Sequence, residues 1–382
     1  MTQPKQTDVL ICGAGPTGLA LAAELRRHGV APMIIDRQSE GANTSRACVI
    51  HARTLEVLEP LGATPDLIAA GVKVPLFRIR EGDRALMTLD FRGLPTRYAF
   101  SLMCPQDRTE ALLLEHLRRL GGDVVRPCML QDAKPSEEGV VARIGGETVH
   151  AKWLVGCDGM HSRVRELSGV RFEGADYSQS FVLADASMEW PLDREEVTLF
   201  VSPQGFMVVS PLPGGAFRIV APVDEAPENP SIPFIQGLLD SRGPQRRGGK
   251  LRDMLWTSRF RIHHRVAETP RRGSILLCGD AAHVDSPAGG QGMNTGLQDA
   301  MSLASALAET LRDGQDSRLD EWARRRHGIA GEVVAFTDRM TRTATLSSPL
   351  AKAARNAAIQ LAGRIPAVRN QFAMILSELK YR

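Results

Sequence analysis

Aromatic residues are scarce in this chain: they make up 5% of its 382 residues, and only three are tyrosines, Tyr98, Tyr177 and Tyr381. Surfaces that bind nucleic acid interleave aromatic and basic side chains, so no nucleic-acid partner is expected. Long apolar runs are also missing. None approaches the ~20 residues of a membrane-spanning helix, and the apolar stretch near the N-terminus lacks the basic leader of a secretion signal. The six cysteines, Cys12, Cys48, Cys104, Cys128, Cys157 and Cys278, show neither close pairing nor metal-ligand spacing, which argues against a disulfide framework or a zinc site. Three of them, Cys12, Cys157 and Cys278, close apolar strands, where Cys serves as a small buried residue. A reduced, cytoplasmic protein without a metal is expected. Charge of one sign is lacking too: 47 basic and 44 acidic residues leave a net +3, and 43% of the chain is hydrophobic. Such a composition belongs to a folded globular protein, and the length suggests two closely joined domains. There is no internal repeat and no Ser/His/Asp arrangement.

What the chain does have is three short segments that describe one ligand. Asp8-Val9-Leu10-Ile11-Cys12 is a buried parallel strand by composition, and Leu19 to Arg27 has helical periodicity. Between them lie Gly13, Gly15, Pro16, Thr17 and Gly18. Gly13 permits a tight turn, Gly15 lets the backbone approach a pyrophosphate, and Gly18 lets helix and strand pack closely; the helix start offers free N–H groups to phosphate. A second strand, Pro32 to Ile35, ends at Asp36 and Arg37, and Asp36 lies at the offset of a ribose-binding acid. The other segments are Cys157-Asp158-Gly159 and Gly279-Asp280-Ala281-Ala282-His283, the latter running on through Pro287 to Asn294. In this order and spacing they point to FAD.

The expected fold is α/β: a Rossmann-like FAD-binding domain with an inserted antiparallel β-sheet domain for the substrate, and C-terminal helices. Residues 1–73, 104–178 and 268–345 are assigned to the first, 74–103 and 179–267 to the second, and 346–382 to the helical segment. Strands at 153–157 and 274–278 both end where a motif begins, as ligands bind at the carboxyl ends of parallel strands. Leu76 to Met103 and Phe181 to Val266 read as strands broken by Pro and Gly. From Thr341 onward seven Lys/Arg face one acid. That tail is expected to pack its apolar stripe on its own domain.

These motifs resemble the FAD-dependent aromatic hydroxylases, the single-component flavoprotein monooxygenases that include para-hydroxybenzoate, phenol and polyketide hydroxylases. The resemblance covers nearly the whole chain. It implies that Arg46, in Thr44-Ser45-Arg46-Ala47, and Gln106, in Pro105-Gln106-Asp107-Arg108, contact FAD; that Asp158 serves FAD and NAD(P)H; and that Asp280 binds the ribityl chain. Pro287, Gly292, Met293 and Asn294 match the loop and helix start at the flavin, where backbone N–H groups would face the pyrimidine and stabilise its reduced, anionic form. The implied reaction uses NADPH or NADH and molecular oxygen to hydroxylate a small aromatic substrate, phenolic or polyketide-like, through a flavin C4a-hydroperoxide. A tetracycline-inactivating type of hydroxylase and a non-catalytic flavoprotein are the alternatives. A halogenase is disfavoured because no Trp-x-Trp occurs. The thioredoxin-like C-terminal domain of the larger hydroxylases is not expected in 382 residues. Ala47-Cys48 stand where phenol-hydroxylase-type members carry an acid.

A proton acceptor near the substrate would favour phenolate attack. His51, Tyr98 and His283 are the candidates, and each is equally a structural hydrogen-bonding residue. Alternation along a strand would also place Arg259, Arg261, His263 and Arg265 on one face, as a dock for nicotinamide phosphates or a solvated sheet face.

Overall fold

The computed structural model describes residues 5–41, 47–346 and 348–382. Its helices are α1 (Pro16–Arg27), α2 (Ala52–Leu58), α3 (Thr64–Ala70), α4 (Gln106–Arg119), α5 (Arg163–Ser168), α6 (Ile232–Arg242), α7 (Gly292–Asp313), α8 (Ser317–Ala344), α9 (Pro349–Ala362) and α10 (Pro366–Leu376). None is long and apolar enough to cross a membrane.

Apolar runs with no polar alternation need cover on both faces, and they form the parallel centre of a mixed sheet whose edge strand Arg271–Arg272 is antiparallel. Its strands lie in the order Arg271–Arg272, Ile275–Leu277, Glu147–Gly156, Lys5–Cys12, Met33–Ile35 and Val124–Val125. Cys12 pairs with both Gly156 and Ile35, and Gly156 pairs with Leu277. Four parallel strands therefore end level. Gly13, Asp36, Cys157 and Cys278 begin side by side on one edge, although they are far apart in the chain. The ladder continues one step past the strands, with Cys157 N–H donating to Cys12 O at 2.7 Å and Cys278 N–H to Gly156 O at 2.9 Å. Leu19, Leu21 and Leu25 of α1 are buried against this sheet in the main core. A hairpin, Leu130–Ser136 with Gly139–Ile144, extends the sheet through the lower half of the Glu147–Gly156 strand.

A second, larger sheet runs His283–Val284, Lys250–Ala267, Phe172–Glu189, Phe217–Val223, Gly205–Pro211, Glu196–Ser202, Leu76–Glu81 and Arg84–Asp90. It differs from the expected antiparallel sheet at one joint: Glu196–Ser202 pairs with Leu76–Glu81 in parallel. The two strands come from separate stretches of chain, so no hairpin constrains their direction. The last strand of the first insert, Ser101–Met103, leaves this sheet altogether and pairs with Val49–Ile50 and Val72–Val74. One face of the large sheet, carrying Val182, Ala184, Met207, Val209 and Ile219, is sealed by Ile235, Leu238 and Leu239 of α6. The other, with Phe181, Leu199, Val201 and Phe206, joins the main core. The helix α6 was not anticipated in a stretch read as strands; Ser231, which accepts from Phe234 N–H, and Pro233 in the first turn are its start signal.

Candidate functional site

Three glycines of the first turn meet three different surroundings. Gly13 has a φ of +103°, and a Cβ there would lie 2.2 Å from Cys157 O. A Cβ on Gly18 would lie 2.0 Å from Gly13 O and 3.3 Å from Cys157 Cβ. A Cβ on Gly15 would meet nothing within 4 Å. Gly15 precedes α1, whose start has Pro16 in its first turn and no capping side chain. An open backbone face and uncapped N–H groups lie together, as a pyrophosphate requires. Thr17 is wedged between motifs: the Cβ positions of Gly279 and Gly296 each lie 2.7 Å from its Oγ1.

Asp36 is a strut of this turn. Its Oδ2 accepts from Ala14 N–H at 2.7 Å and its Oδ1 from Gln38 N–H at 2.8 Å. Arg37 beside it is exposed. Arg126, which the sequence did not single out, donates to Ala14 O at 3.2 Å. Gln106, at the start of α4, accepts from Ala47 N–H and donates to Glu110. Arg46 lies outside the described residues.

Asp158 accepts from Ser162 Oγ at 2.5 Å, Arg163 N–H at 2.7 Å and Val164 N–H at 3.2 Å. It receives the first two N–H groups of α5, whose N-cap is Ser162, and burial holds its pKa above the usual carboxylate value despite those donors. Arg165 then links two motifs, donating to Met160 O and to Ala281 O at 2.9 Å while its guanidinium stacks 3.8 Å above the Phe172 ring. Asp280 is exposed at the same edge.

The third motif ends at α7, whose first residue is Gly292 and whose start carries no side-chain cap. The N–H groups of Gly292, Met293 and Asn294 thus head the helix, where an anion is stabilised. Pro287 is exposed in the preceding loop. Asn294 has a second role that its sequence did not disclose. Its fully buried side chain accepts from His51 N–H at 2.8 Å and donates to Val49 O and Gly290 O. His51 Nε2 lies 2.8 Å from Gly289 O, and its Nδ1 has no hydrogen-bond partner. With Nε2–H assigned as the donor to that carbonyl, Nδ1 is an acceptor. Burial lowers the pKa of His51 to about 4, so the ring is neutral.

The other two proton-acceptor candidates lie elsewhere. His283 Nε2 is 2.6 Å from Asp299 Oδ2, with both residues buried. Burial opposes its protonation, but Asp299 holds its pKa above the usual imidazole value. Asp299 also accepts from Arg326 Nε and from Gly279 N–H at 3.3 Å, and its own pKa is held to about 2 against the cost of burial. This carboxylate locks the Gly279-Asp280 turn to α7. Sequence reasoning missed it because nothing marks an acid in mid-helix until its partners are known. Tyr98 sits edge-on to Phe100; burial and Glu59 hold its pKa above the usual phenol value. Of the cationic strand face, His263 and Arg265 are engaged by Asp176 at 2.6 and 2.9 Å, Arg259 donates to Ala226 O, and Arg261 is exposed. Among the described residues no cluster of ligands could hold a metal.

The open face at Gly15, the uncapped starts of α1 and α7, and exposed Asp280 fit an elongated dinucleotide such as FAD. Comparison with known proteins agrees. A family model described as FAD binding domain matches residues 6–337. A 6-methylpretetramide 4-monooxygenase of Streptomyces rimosus is 37% identical over 91% of this chain and 64% of its own length. A rifampicin monooxygenase of Streptomyces venezuelae is 35% identical over 86% of this chain and 70% of its own. The chain thus spans about two thirds of these relatives. Among solved structures, a p-nitrophenol 4-monooxygenase of Pseudomonas putida superposes with a TM-score of 0.88, at 25% identity, covering 99% of this chain and 98% of that one.

Proposed function

Because this chain belongs to the FAD-dependent aromatic hydroxylases, we propose that it is an NAD(P)H-dependent monooxygenase hydroxylating a phenolic or polyketide-like aromatic with molecular oxygen. The observation that carries this reading is the level ending of four parallel strands, which brings every dinucleotide motif to one edge beside the uncapped start of α7. FAD supplies the redox and oxygen chemistry when bound; the protein supplies orientation and electrostatics. The chain's own contributions can be named. The N–H groups of Gly292, Met293 and Asn294 stabilise negative charge at the helix start. Asp299, His283 and Arg326 hold the Gly279-Asp280 turn in place. His51, held by Asn294 and Gly289, keeps a neutral, buried ring that ties the Val49–His51 segment to the loop before α7. The six free thiols among the described residues support a reducing, cytoplasmic setting.

The test is aerobic turnover of FAD-loaded protein with NADH and with NADPH, in the presence of p-nitrophenol, simple phenols and tetracyclic polyketides under 18O2. We expect nucleotide oxidation to accelerate with an accepted aromatic and one 18O atom to appear in its product. Nucleotide oxidation that no aromatic accelerates, with no 18O in any product, would leave the non-catalytic reading in its place.

A further inference from the structure

Between His283 and Pro287 the third motif carries an acid, Asp285, that lies against the first residue of α7. A Cβ on Gly292 would lie 2.7 Å from Asp285 Oδ1 and 3.8 Å from its Cγ, so only glycine lets the carboxyl come this close. The carboxyl nevertheless does not cap the helix, whose start has no side-chain hydrogen bond. Its Oδ2 is buried and has no hydrogen-bond partner. A buried carboxyl with a bare oxygen is costly to ionise, and burial raises its pKa to about 7. The segment before α7 thus holds an acid that is half-ionised near neutral pH.

The charges around Asp285 leave it open to a change at the helix start. His283, on its own segment, favours the ionised form, but its Nε2 is given to Asp299 at 2.6 Å. Asp280 has the same sign as Asp285 and favours the neutral form. From beyond α10, Glu378 is also near, with its carboxyl accepting from Gln298 and Thr295 of α7. From α8, Arg326 is held by Asp299. His51, across the loop at Gly289, is neutral. The two cations of this set are thus both committed to Asp299. A negative charge arriving at the start of α7 competes with Asp285 for the same positive helix end. Like charges in one site disfavour each other's ionised forms, so the carboxyl responds by holding its proton.

We propose that Asp285 takes up a proton from solvent when FAD bound at the start of α7 is reduced, offsetting the negative charge that the flavin gains. The inference rests on the flavin lying at α7, as the functional reading has it, and not on the identity of the substrate. Hydride from NAD(P)H carries an electron pair and one proton to FAD and leaves the reduced form anionic. The second proton comes from water and forms the O–H bond of the Asp285 carboxyl. The test is spectroelectrochemical titration of the FAD-loaded full chain between about pH 6 and about pH 9, with the spectrum of the reduced flavin reporting that it is anionic. Near pH 8 the wild-type potential should fall with pH at the slope of about two protons per flavin. Asp285→Asn and the apolar Asp285→Val should fall at the slope of about one, lying above wild type there and meeting it near pH 6. Glu378→Gln should follow wild type. Loss of the second proton in Glu378→Gln alone would assign the uptake to Glu378 and overturn the proposal. A chain that binds no FAD would sink the functional reading and the proposal together, whereas bound FAD with a wild-type slope in both Asp285 variants overturns the proposal alone.

Discussion

The glycines at 13, 15 and 18 occupy one turn yet answer to different neighbours. A methyl group on Gly18 collides with Gly13 O at 2.0 Å, a backbone atom that cannot move aside alone. Gly18→Ala should therefore cost about 3 kcal/mol of stability through overpacking. Gly15→Val adds its side chain to open space, so the apoprotein should melt near the wild-type temperature while FAD retention falls sharply. Thermal denaturation of both apoproteins, with flavin titration of each, checks the contrast. Equal destabilisation by the two variants would mean that Gly15 serves the fold rather than the ligand. Asp36 shows how a motif residue can be read correctly in position and incompletely in role. Its offset in the sequence suggested a ribose acceptor, while both of its oxygens already receive backbone N–H groups. The N–H donors belong to the folded turn and leave no trace in the spacing.

Strands and helices were more legible than the contacts between them. The runs at Asp8–Cys12, Trp153–Cys157 and Ser274–Cys278 announce buried parallel strands because unbroken apolar sequence has few other uses. The parallel joint between Glu196–Ser202 and Leu76–Glu81 was not legible, because alternation fixes which face is buried and not which strand lies beside it. Asn294 was read for its backbone N–H alone. Its buried side chain holds the Val49–His51 segment to the loop at Gly290, so a proline there would remove three hydrogen bonds as well as one donor. Helix α7 contributes most through Asp299, which joins α8 to the Gly279-Asp280 turn. Asp299→Ala leaves Arg326 and His283 buried without their shared counter-charge, at a cost of about 3–5 kcal/mol. Arg326→Leu removes the other charge of the pair. A double-mutant cycle on thermal or denaturant stability should be strongly sub-additive, since the combined variant buries no unpaired guanidinium. Additive losses would show that the two residues act independently.

At the scale of the whole molecule, the chain's last residues return to its centre. Glu378 sits just past α10 with φ of +60°, the one positive φ outside glycine among the described residues, and is 1% exposed. Its carboxyl accepts from Gln298 Nε2 and Thr295 Oγ1 of α7, with Arg326 and Asp285 also near. Burial, the largest influence, raises its pKa to about 8, and burial likewise raises Asp285 to about 7. In the unfolded chain both acids lose their protons near pH 4, while the folded protein keeps them longer. Stability from these groups is therefore full below pH 4 and is lost as pH rises through 7 and 8. His51 works in the opposite sense, because its pKa falls from 6.5 to about 4 on folding; its effect is complete by pH 6.5. His283, held above its usual value by Asp299 despite burial, adds to the alkaline loss. Between pH 6.5 and 8 the wild-type thermal midpoint should therefore fall, with Glu378 contributing up to about 2 kcal/mol over that interval. Glu378→Gln keeps an amide where the protonated carboxyl stands and has no proton to lose. Its thermal midpoint should decline less steeply over the same interval, most visibly near pH 8, where the two proteins differ most. Parallel midpoint curves for the two proteins would mean that Glu378 is ionised in the folded state and that Arg326 compensates it there.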